Sequence, residues 1–171
     1  VGLYFLENGS PPRPSQVIYD RDGSAFTKYD ETMLPDSLFQ LSTSRWLHLT
    51  GITLGLGETT QRLVRKAMRL ARDAGWQISF DVNYRALLWN ITSAKAACNE
   101  LFESADLLFL AERDAKNLWQ IDGEGDPHQS MRKLLSIRKG NATVMTLGSQ
   151  GAIAGKGDHS VLQSIEPVPP I

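Results

Sequence analysis

The chain has 171 residues, of which 42% are hydrophobic and 22% are charged. This length and composition are typical of one globular domain with a sizeable core. The formal net charge is −1 at pH 7 and the pI is near 6.3, so charge gives no reason to expect a nucleic-acid or anionic-membrane partner. No apolar run approaches the roughly 20 residues that span a bilayer. Neither nucleic acid nor membrane is predicted as a partner.

Two short β-prone runs open the chain, at residues 3–6 and 16–19. The prolines of residues 8–14 exclude regular structure between them. The two runs predict a two-stranded unit, and because an isolated hairpin is only marginally stable, this unit should lean on a ligand, a partner or further chain. We expect residues 1–30 to form this β segment and residues 31–171 to form the remaining domain.

Strand-like and helix-like patterns alternate from residue 46 onward. Apolar, β-prone runs predict strands at 46–50, 78–82, 107–110 and 143–147. Apolar residues at helical spacing predict helices at about 58–74, 93–104, 113–119 and 129–138. A final hairpin is predicted over 152–162. Such alternation is typical of an α/β fold, with a parallel sheet and helices on both of its faces.

Three patterns have both a structural and a functional interpretation. The basic residues of the predicted helix 58–74 surround an apolar stripe, which favours a solvated face over a nucleic-acid surface. His48 lies inside an apolar strand, which favours a hydrogen-bonded core histidine over a catalyst. Cys98, the only cysteine, lies in a helical apolar pattern. This favours a small core residue in a reducing compartment over a nucleophile, and we expect a cytoplasmic protein.

Polar groups gather where the predicted strands end. Ligands of open α/β sheets bind outside the carboxyl ends of the strands, and the segment Asp81-Val-Asn83-Tyr-Arg85 lies at such an end. The other strand ends carry Thr50-Gly51, Glu112 with Asp114, and the turn from Thr146 to Gly151. Taken alone, Asp81 is equally well interpreted as the cap of the next element and Arg85 as a surface cation.

The Gly-rich turn Thr146-Leu-Gly-Ser-Gln-Gly151 is of a kind that presents backbone N–H groups to phosphate. It lacks the Lys-Ser/Thr of a P-loop, so that nucleotide-binding motif is excluded. The sequence also has no zinc spacing, no G-x-S-x-G elbow and no Cys/His pair placed for nucleophilic catalysis. The strand ends are therefore the candidate site.

Five segments together form a more specific pattern than any single motif. They are Val1-Gly-Leu-Tyr-Phe-Leu-Glu7, Tyr19-x-Arg21-x-Gly-Ser-Ala25, Leu47-His-Leu-Thr-Gly-Ile-Thr53, Phe80-Asp-Val-Asn-Tyr-Arg85 with Leu88-Trp89, and Thr146-Leu-Gly-x-x-Gly151. Over nearly the whole chain they resemble the ribokinase-like (PfkB) carbohydrate kinase family, and most of all its 2-keto-3-deoxygluconate kinases. The resemblance implies a Rossmann-like domain with a small β lid over the sugar, and residues 1–30 would be that lid.

The resemblance implies a substrate site shared by the lid and the main domain. Tyr4, Tyr19 and Arg21 would project from the lid onto a sugar acid, and Arg85 would meet its carboxylate. This agrees with the chemistry, because arginine offers a planar fork of donors that matches a carboxylate. Without the resemblance, Tyr19 and Arg21 would be interpreted as ordinary hairpin surface.

The resemblance also implies ATP and Mg²⁺ as cofactors. The phosphates and metal would lie near Asp81, Asn83 and Asp114, and the nucleotide near Thr146, Gly148 and Gly151. The implied reaction is ATP-dependent phosphorylation of 2-keto-3-deoxygluconate to its 6-phosphate. Two alternatives remain open: a kinase of a neutral sugar such as fructose or ribose, and a non-catalytic sugar-binding module on the same fold.

Two departures from the family pattern bear on the chemistry. Where family members often carry Asn-x-x-Glu, this chain has Ala111-Glu-Arg-Asp114, which leaves the metal role of Asp114 open. The family's Gly-Ala-Gly-Asp segment, with its catalytic Asp, is expected beyond Ile171, so no catalytic residue is assigned within the chain. We therefore expect a central portion of a kinase that is inactive by itself. The exposed lid is a candidate edge for a homo-oligomer.

Overall fold

The computed structural model of the protein describes residues 2–20, 23–41, 46–139 and 141–166. Strands β1 (Leu3–Glu7) and β2 (Gln16–Asp20) pair antiparallel in a sheet of their own. Their register places Tyr4 opposite Tyr19, so both side chains lie on the same face of this small sheet. The prediction that these two strands lie outside the main sheet is confirmed. We call residues 2–20 the lid.

The main sheet has six strands in the order β3–β4–β5–β6–β7–β8. They are β3 (Trp46–Thr50), β4 (Gln77–Asp81), β5 (Leu107–Ala111), β6 (Ala142–Thr146), β7 (Ala152–Lys156) and β8 (His159–Gln163). Strands β3 to β6 are mutually parallel, and β7 and β8 extend the sheet as an antiparallel hairpin. The predicted α/β fold class and the predicted parallel strands are confirmed.

Helices flank the main sheet and connect its parallel strands. The α-helices of the described residues are α1 (Leu38–Leu41), α2 (Gly51–Gly55), α3 (Glu58–Asp73), α4 (Ile91–Ser104), α5 (Glu112–Trp119) and α6 (Pro127–Ile137). Helices α3 to α6 lie within two residues of their predicted bounds. None of the helices in this part of the chain has the length and apolar character needed to cross a bilayer.

Helix α2, like the four-residue helix α1, is an element that the sequence does not predict. Its five residues are too few to show a helical period. The hydroxyl of Thr50 caps it by accepting a hydrogen bond from the N–H of Ile52 at 3.4 Å. A side chain at Gly51 would place its Cβ 2.0 Å from the carbonyl oxygen of Val82. Glycine therefore lets the start of α2 approach the chain that leaves β4.

The core lies between the sheet and its helices. Ile78, Phe80 and Val82 of the central strand region are completely buried. Cys98 of α4 is 1% exposed, and burial, with a smaller effect of Asp114, raises the pKa of its thiol to about 12. A thiol that stays protonated is a poor nucleophile, which agrees with the predicted core role.

The basic face of α3 is occupied by ion pairs. The pairs are Arg62 with Glu31 at 3.0 Å, Lys66 with Asp36 at 2.8 Å, and Arg72 with Asp106 at 2.7 Å. These contacts attach the segment before β3, and the start of β5, to the helix. They support the structural interpretation of this basic face.

The prediction that His48 lies in the core is wrong. Its side chain is exposed, because within the described residues β3 is an edge strand of the main sheet. Its Nδ1 shares a hydrogen bond of 2.8 Å with the Oγ of Ser79 on the neighbouring strand. The predicted hydrogen bonding is present, and only the predicted burial is not.

Candidate active site

The carboxyl ends of the four parallel strands lie in a row along one edge of the main sheet. The register pairs Thr50 with Asp81 and Ala111 with Thr146. Since neighbouring strands are about 4.8 Å apart, the row from β3 to β6 is about 14 Å long. Asp81 and Thr146, which the sequence assigns to different parts of the site, therefore share one edge. We call this row of strand ends the carboxyl edge.

A cavity of about 520 Å³ lies between the lid and the carboxyl edge. Its volume is in the range of small-molecule sites. Tyr19 of β2 and Arg85, which follows β4, both line it, together with apolar residues of α2 and of the loop after β4. Of the described residues that line this cavity, Arg85 alone is charged. The structure thus brings together two of the residues that the sequence assigns to sugar binding.

The other two predicted sugar-binding residues have different positions. Tyr4 does not line the cavity, but it lies directly across from Tyr19 on the same face of the lid. Arg21 lies outside the described residues. The lid therefore presents a pair of phenol side chains on one face, of which Tyr19 borders the cavity.

A turn of the backbone at Asn83 directs the chain from β4 towards the cavity. The N–H of Val82 still donates to the carbonyl of Phe109 on β5 at 3.0 Å, so the sheet pairing extends to residue 82. Asn83 then has φ of 40°, in the left-handed region, which asparagine adopts more readily than most residues. Arg85 is reached two residues later and is exposed at the cavity.

Two carboxylates lie beside this turn, Asp81, which is partly exposed, and Asp114, which is buried. Burial raises the pKa of Asp81, against opposing effects of the Asn83 N–H and of the charges of His48 and Arg85. Burial also raises the pKa of Asp114, against the Tyr84 N–H, Arg113 and Arg85. The positive charge of Arg85 therefore acts on both carboxylates while its side chain faces the cavity.

One oxygen of Asp114 has no hydrogen-bond donor. Asp114 is 3% exposed, and its Oδ2 accepts the N–H of Tyr84 at 3.4 Å. Its Oδ1 is buried without a hydrogen bond and has only an ion contact of 3.5 Å with Nε of Arg113. Buried polar atoms normally have partners, so this oxygen has capacity for a further polar group.

The carboxyl edge fits a hydrated Mg²⁺ better than a cation held by protein ligands alone. In the described part of the chain, no three His, Cys, Asp or Glu side chains form a group able to hold a metal ion. Mg²⁺ usually keeps several waters and is bound through one or two carboxylates and substrate phosphates. Asp81, which is partly exposed, meets that smaller requirement, whereas the oxygen of Asp114 without a hydrogen bond is buried.

The Gly-rich turn lies at the far end of the carboxyl edge. Thr146 ends β6 and is exposed, and Gly148 begins a 3₁₀ turn with φ of 61°. Gly151 has φ of 102°, and a Cβ there would lie 2.0 Å from the carbonyl oxygen of Gln163. This close approach of β8 accounts for glycine at position 151 without reference to a ligand.

Sequence reasoning assigned no role to the apolar residues of the cavity. Ile52 of α2 and Leu56, which directly follows that helix, line one side of it, and Leu87 and Leu88 line it from the loop after β4. Ile52 and Leu88 occur within the quoted motifs, but nothing in their spacing predicts that they face one cavity. The sequence signal for α2 was the pair Thr50 and Gly51. Thr50 caps the helix, and Gly51 allows its start to approach Val82.

Comparison with known proteins agrees with this fold and site. The family model described as pfkB family carbohydrate kinase matches residues 2–171. The α/β fold, with its largely parallel sheet, is ribokinase-like. The chain belongs to the pfkB family of carbohydrate kinases, a family of ATP-binding enzymes.

Three relatives illustrate the similarity. The chain is 35% identical over 158 residues to a 2-dehydro-3-deoxygalactonokinase of Haloferax volcanii, covering 91% of this chain and 48% of that protein. The crystal structure of a 2-dehydro-3-deoxygluconokinase from Thermotoga maritima superposes with a TM-score of 0.82 at 27% identity, covering 94% of this chain and 52% of that one. A putative ribokinase II from E. coli, solved in complex with ATP and Mg²⁺, has a TM-score of 0.78 at 19% identity, with 99% and 52% covered. The chain spans about half the length of these relatives.

Proposed function

We propose that the protein serves the ATP-dependent phosphorylation of a sugar acid, with 2-keto-3-deoxygluconate, converted to its 6-phosphate, as the best candidate. The observation that carries this proposal is the meeting of Tyr19 and Arg85 in one cavity, where Arg85 is the charged group among the described lining residues. A neutral sugar offers a guanidinium hydrogen-bond acceptors but no negative charge. A sugar acid offers a carboxylate, which arginine binds with two parallel hydrogen bonds.

The lid supplies the other side of the proposed sugar site. We assign residues 1–30, which include the lid, to a β lid segment and residues 31–171 to the kinase core. Tyr19 offers a phenol hydroxyl to the sugar, and Tyr4 and Arg21 complete the set from the same segment. The exposed phenols of β1 and β2 support this assignment, because both lie on one face of the small sheet.

The apolar wall of the cavity supports a deoxygenated substrate. Ile52, Leu56 and Leu88 offer no hydrogen-bond partners from their side chains. A sugar hydroxyl buried against them without a partner costs about 1–3 kcal/mol. A 3-deoxy sugar has a methylene at a position where other sugars carry a hydroxyl, so it loses nothing against such a wall. This feature favours a 2-keto-3-deoxy acid over a fully hydroxylated acid.

We place the reacting phosphates over the middle of the carboxyl edge. Asp81, Asn83 and Asp114 would face the phosphates and a hydrated Mg²⁺, which when bound neutralises charge on the transferred phosphoryl group. The nucleotide would extend towards the Gly-rich turn, with Thr146, Gly148 and Gly151 beside it. The chain's own contribution is to hold the sugar acid at Arg85 and the nucleotide along the same edge, since positioning and electrostatics provide most of the acceleration in phosphoryl transfer.

The experiment that tests this function compares ligands on the unmodified chain. Isothermal calorimetry measures the affinity for 2-keto-3-deoxygluconate, its C4 epimer 2-keto-3-deoxygalactonate, the alcohol made by reducing the carboxylate, fructose and ribose. We expect the two acids to bind more tightly than the alcohol and both neutral sugars. Tighter binding of fructose or ribose than of either acid would overturn the proposed substrate class.

A further inference from the structure

The loop that carries Arg85 is closed on itself. It follows the left-handed turn at Asn83, and the N–H of Leu88 donates to the carbonyl of Arg85 at 2.9 Å. The hydroxyl of Tyr84 donates to the carbonyl of Trp89 at 3.1 Å. These two bonds join the start of the loop to its end. We call residues 83–89 the arginine loop.

Tyr84 also anchors this loop to the rest of the domain. Its backbone N–H donates to the buried carboxylate of Asp114 on α5 at 3.4 Å, and its half-buried ring packs against the main core. At the other end of the loop, Trp89 packs closely on α2, where a Cβ at Gly55 would lie 3.1 Å from the indole ring. The hydroxyl of Tyr84 thus links a segment held by α5 to a segment held by α2.

The side chain of Arg85 has little support of its own. It is exposed, and its hydrogen bond within the described residues is a long one, 3.5 Å from Nη1 to the carbonyl oxygen of Tyr84. A long, exposed side chain loses considerable rotamer freedom when it is fixed on a ligand. The backbone that Tyr84 holds therefore fixes the point from which this flexible side chain reaches into the cavity.

From these contacts we propose that Tyr84 is a positioning residue that sets acid selectivity by holding the arginine loop through its hydroxyl. This inference rests on the proposed role of Arg85 as the carboxylate-binding group. The Tyr84 hydroxyl makes its bond to Trp89 and needs no contact with the substrate. Loss of this hydroxyl loosens the arginine loop. The two hydrogen bonds from Arg85 to a carboxylate are then weakened, whereas contacts to the rest of the sugar are unchanged.

The test uses Tyr84→Phe, which removes the hydroxyl and keeps the packed ring. Tyr29→Phe is the matched control, because the Tyr29 hydroxyl also donates to a backbone carbonyl, that of Met33 at 2.8 Å, and Tyr29 does not line the cavity. Calorimetry measures binding of 2-keto-3-deoxygluconate and of its carboxylate-reduced alcohol to each variant of the chain. For Tyr84→Phe we expect affinity for the acid to fall about 3- to 10-fold, as for loss of one neutral hydrogen bond. Affinity for the alcohol should change less than about 2-fold, and Tyr29→Phe should bind both ligands as the unmodified chain does.

Arg85→Ala, measured in parallel, distinguishes a failure of the positioning role of Tyr84 from a failure of the proposed function. If Arg85→Ala loses acid binding selectively but Tyr84→Phe binds the acid normally, the positioning role is wrong and the proposed function stands. Equal weakening of acid and alcohol in Tyr84→Phe also overturns the positioning role, because it indicates a general structural effect. If Arg85→Ala itself weakens both ligands equally, the proposed function fails, and the inference fails with it.

Discussion

Arg138 donates a hydrogen bond from Nε to the Oγ1 of Thr143 at 2.9 Å, and both side chains are buried. The rest of the guanidinium donates to the carbonyls of Phe102, of Ala105 at 2.8 Å and of Ala142 at 3.1 Å. Burial lowers the pKa of Arg138 to about 10, so the group is still charged at neutral pH. A cation here joins the end of α4, where helix carbonyls lack partners, to the beginning of β6.

Replacing Arg138 should destabilise the whole domain. Arg138→Met leaves several buried carbonyls without donors, at about 1–3 kcal/mol for each unsatisfied group. We expect the free energy of unfolding, measured by urea denaturation, to fall by at least about 3 kcal/mol. The control is Arg132→Met on α6, the helix that ends just before Arg138. There an exposed arginine lies 3.4 Å from Asp126, and a loss of at most about 1 kcal/mol is expected. Similar losses in both variants would mean that the buried bonds contribute little.

The guanidinium of Arg85 should bind ligands that carry a carboxylate selectively. Arg85→Ala is expected to weaken binding of 2-keto-3-deoxygluconate by about 2–5 kcal/mol, or roughly 30-fold to several thousand-fold. Arg85→Lys should recover part of this loss, because an ammonium keeps the charge but cannot make the planar contact. Calorimetric affinities for the acid and the reduced alcohol measure the difference.

Arg113→Ala is the matched control for this experiment. Arg113 is a cation near the same edge that does not line the cavity. Its removal should change acid binding much less than Arg85→Ala. A comparable loss in both variants would indicate long-range charge attraction rather than a specific contact at Arg85.

Two glycines with positive φ should respond differently to alanine. A Cβ at Gly151 meets the carbonyl oxygen of Gln163 at 2.0 Å, whereas a Cβ at Gly157, with φ of 58°, meets nothing within 4 Å. Gly157→Ala should therefore cost only the backbone strain, about 1–2 kcal/mol. Gly151→Ala should cost more, because the turn and β8 must also move apart. Urea denaturation of both variants checks the order, and equal losses would contradict the close approach seen at Gly151.

The buried thiol of Cys98 should give stability a dependence on alkaline pH. The thiol has its ordinary pKa of 9.0 in the unfolded chain and a pKa of about 12 in the folded one. Between these values the folded state binds more protons, so the free energy of unfolding should fall as pH rises above about 9. The contribution of one group is at most about 1.4 kcal/mol per pH unit. Cys98→Ala should show a shallower slope in urea denaturation between pH 8 and about 10.5. Parallel slopes would show that the thiol ionises as readily when folded.

Much of the fold was predictable because its patterns are local. Helix α3 has an apolar stripe at regular spacing, and the central strand is a short apolar run after a glycine stop, so neither needed knowledge of distant residues. Helix α2 has five residues and no period to read. The exposure of His48 depends on which strands flank β3, and the pattern of one strand does not contain that information.

The site was predictable only in part, for the same physical reason. Strand ends meet at one edge of any parallel sheet, so Asp81 and Thr146 were expected together. The meeting of Tyr19 with Arg85 joins two separate sheets, and only the family resemblance predicted it. Arg138 was expected simply as the end of a helix. Its burial depends on carbonyls that lie 33 and 36 residues away along the chain, which no local pattern reveals.

The lid has a consequence for how this fold can change over evolutionary time. Tyr4 and Tyr19 are more than half exposed and belong to neither hydrophobic core cluster. Substitutions at exposed positions of this kind usually alter folding stability by less than about 0.5 kcal/mol. Under the proposed function, new substrate preferences could therefore be sampled on the lid at little risk to the main sheet. At the carboxyl edge, by contrast, Asp81 directly follows the fully buried Phe80 of β4, so substitutions there carry a greater risk to the main sheet.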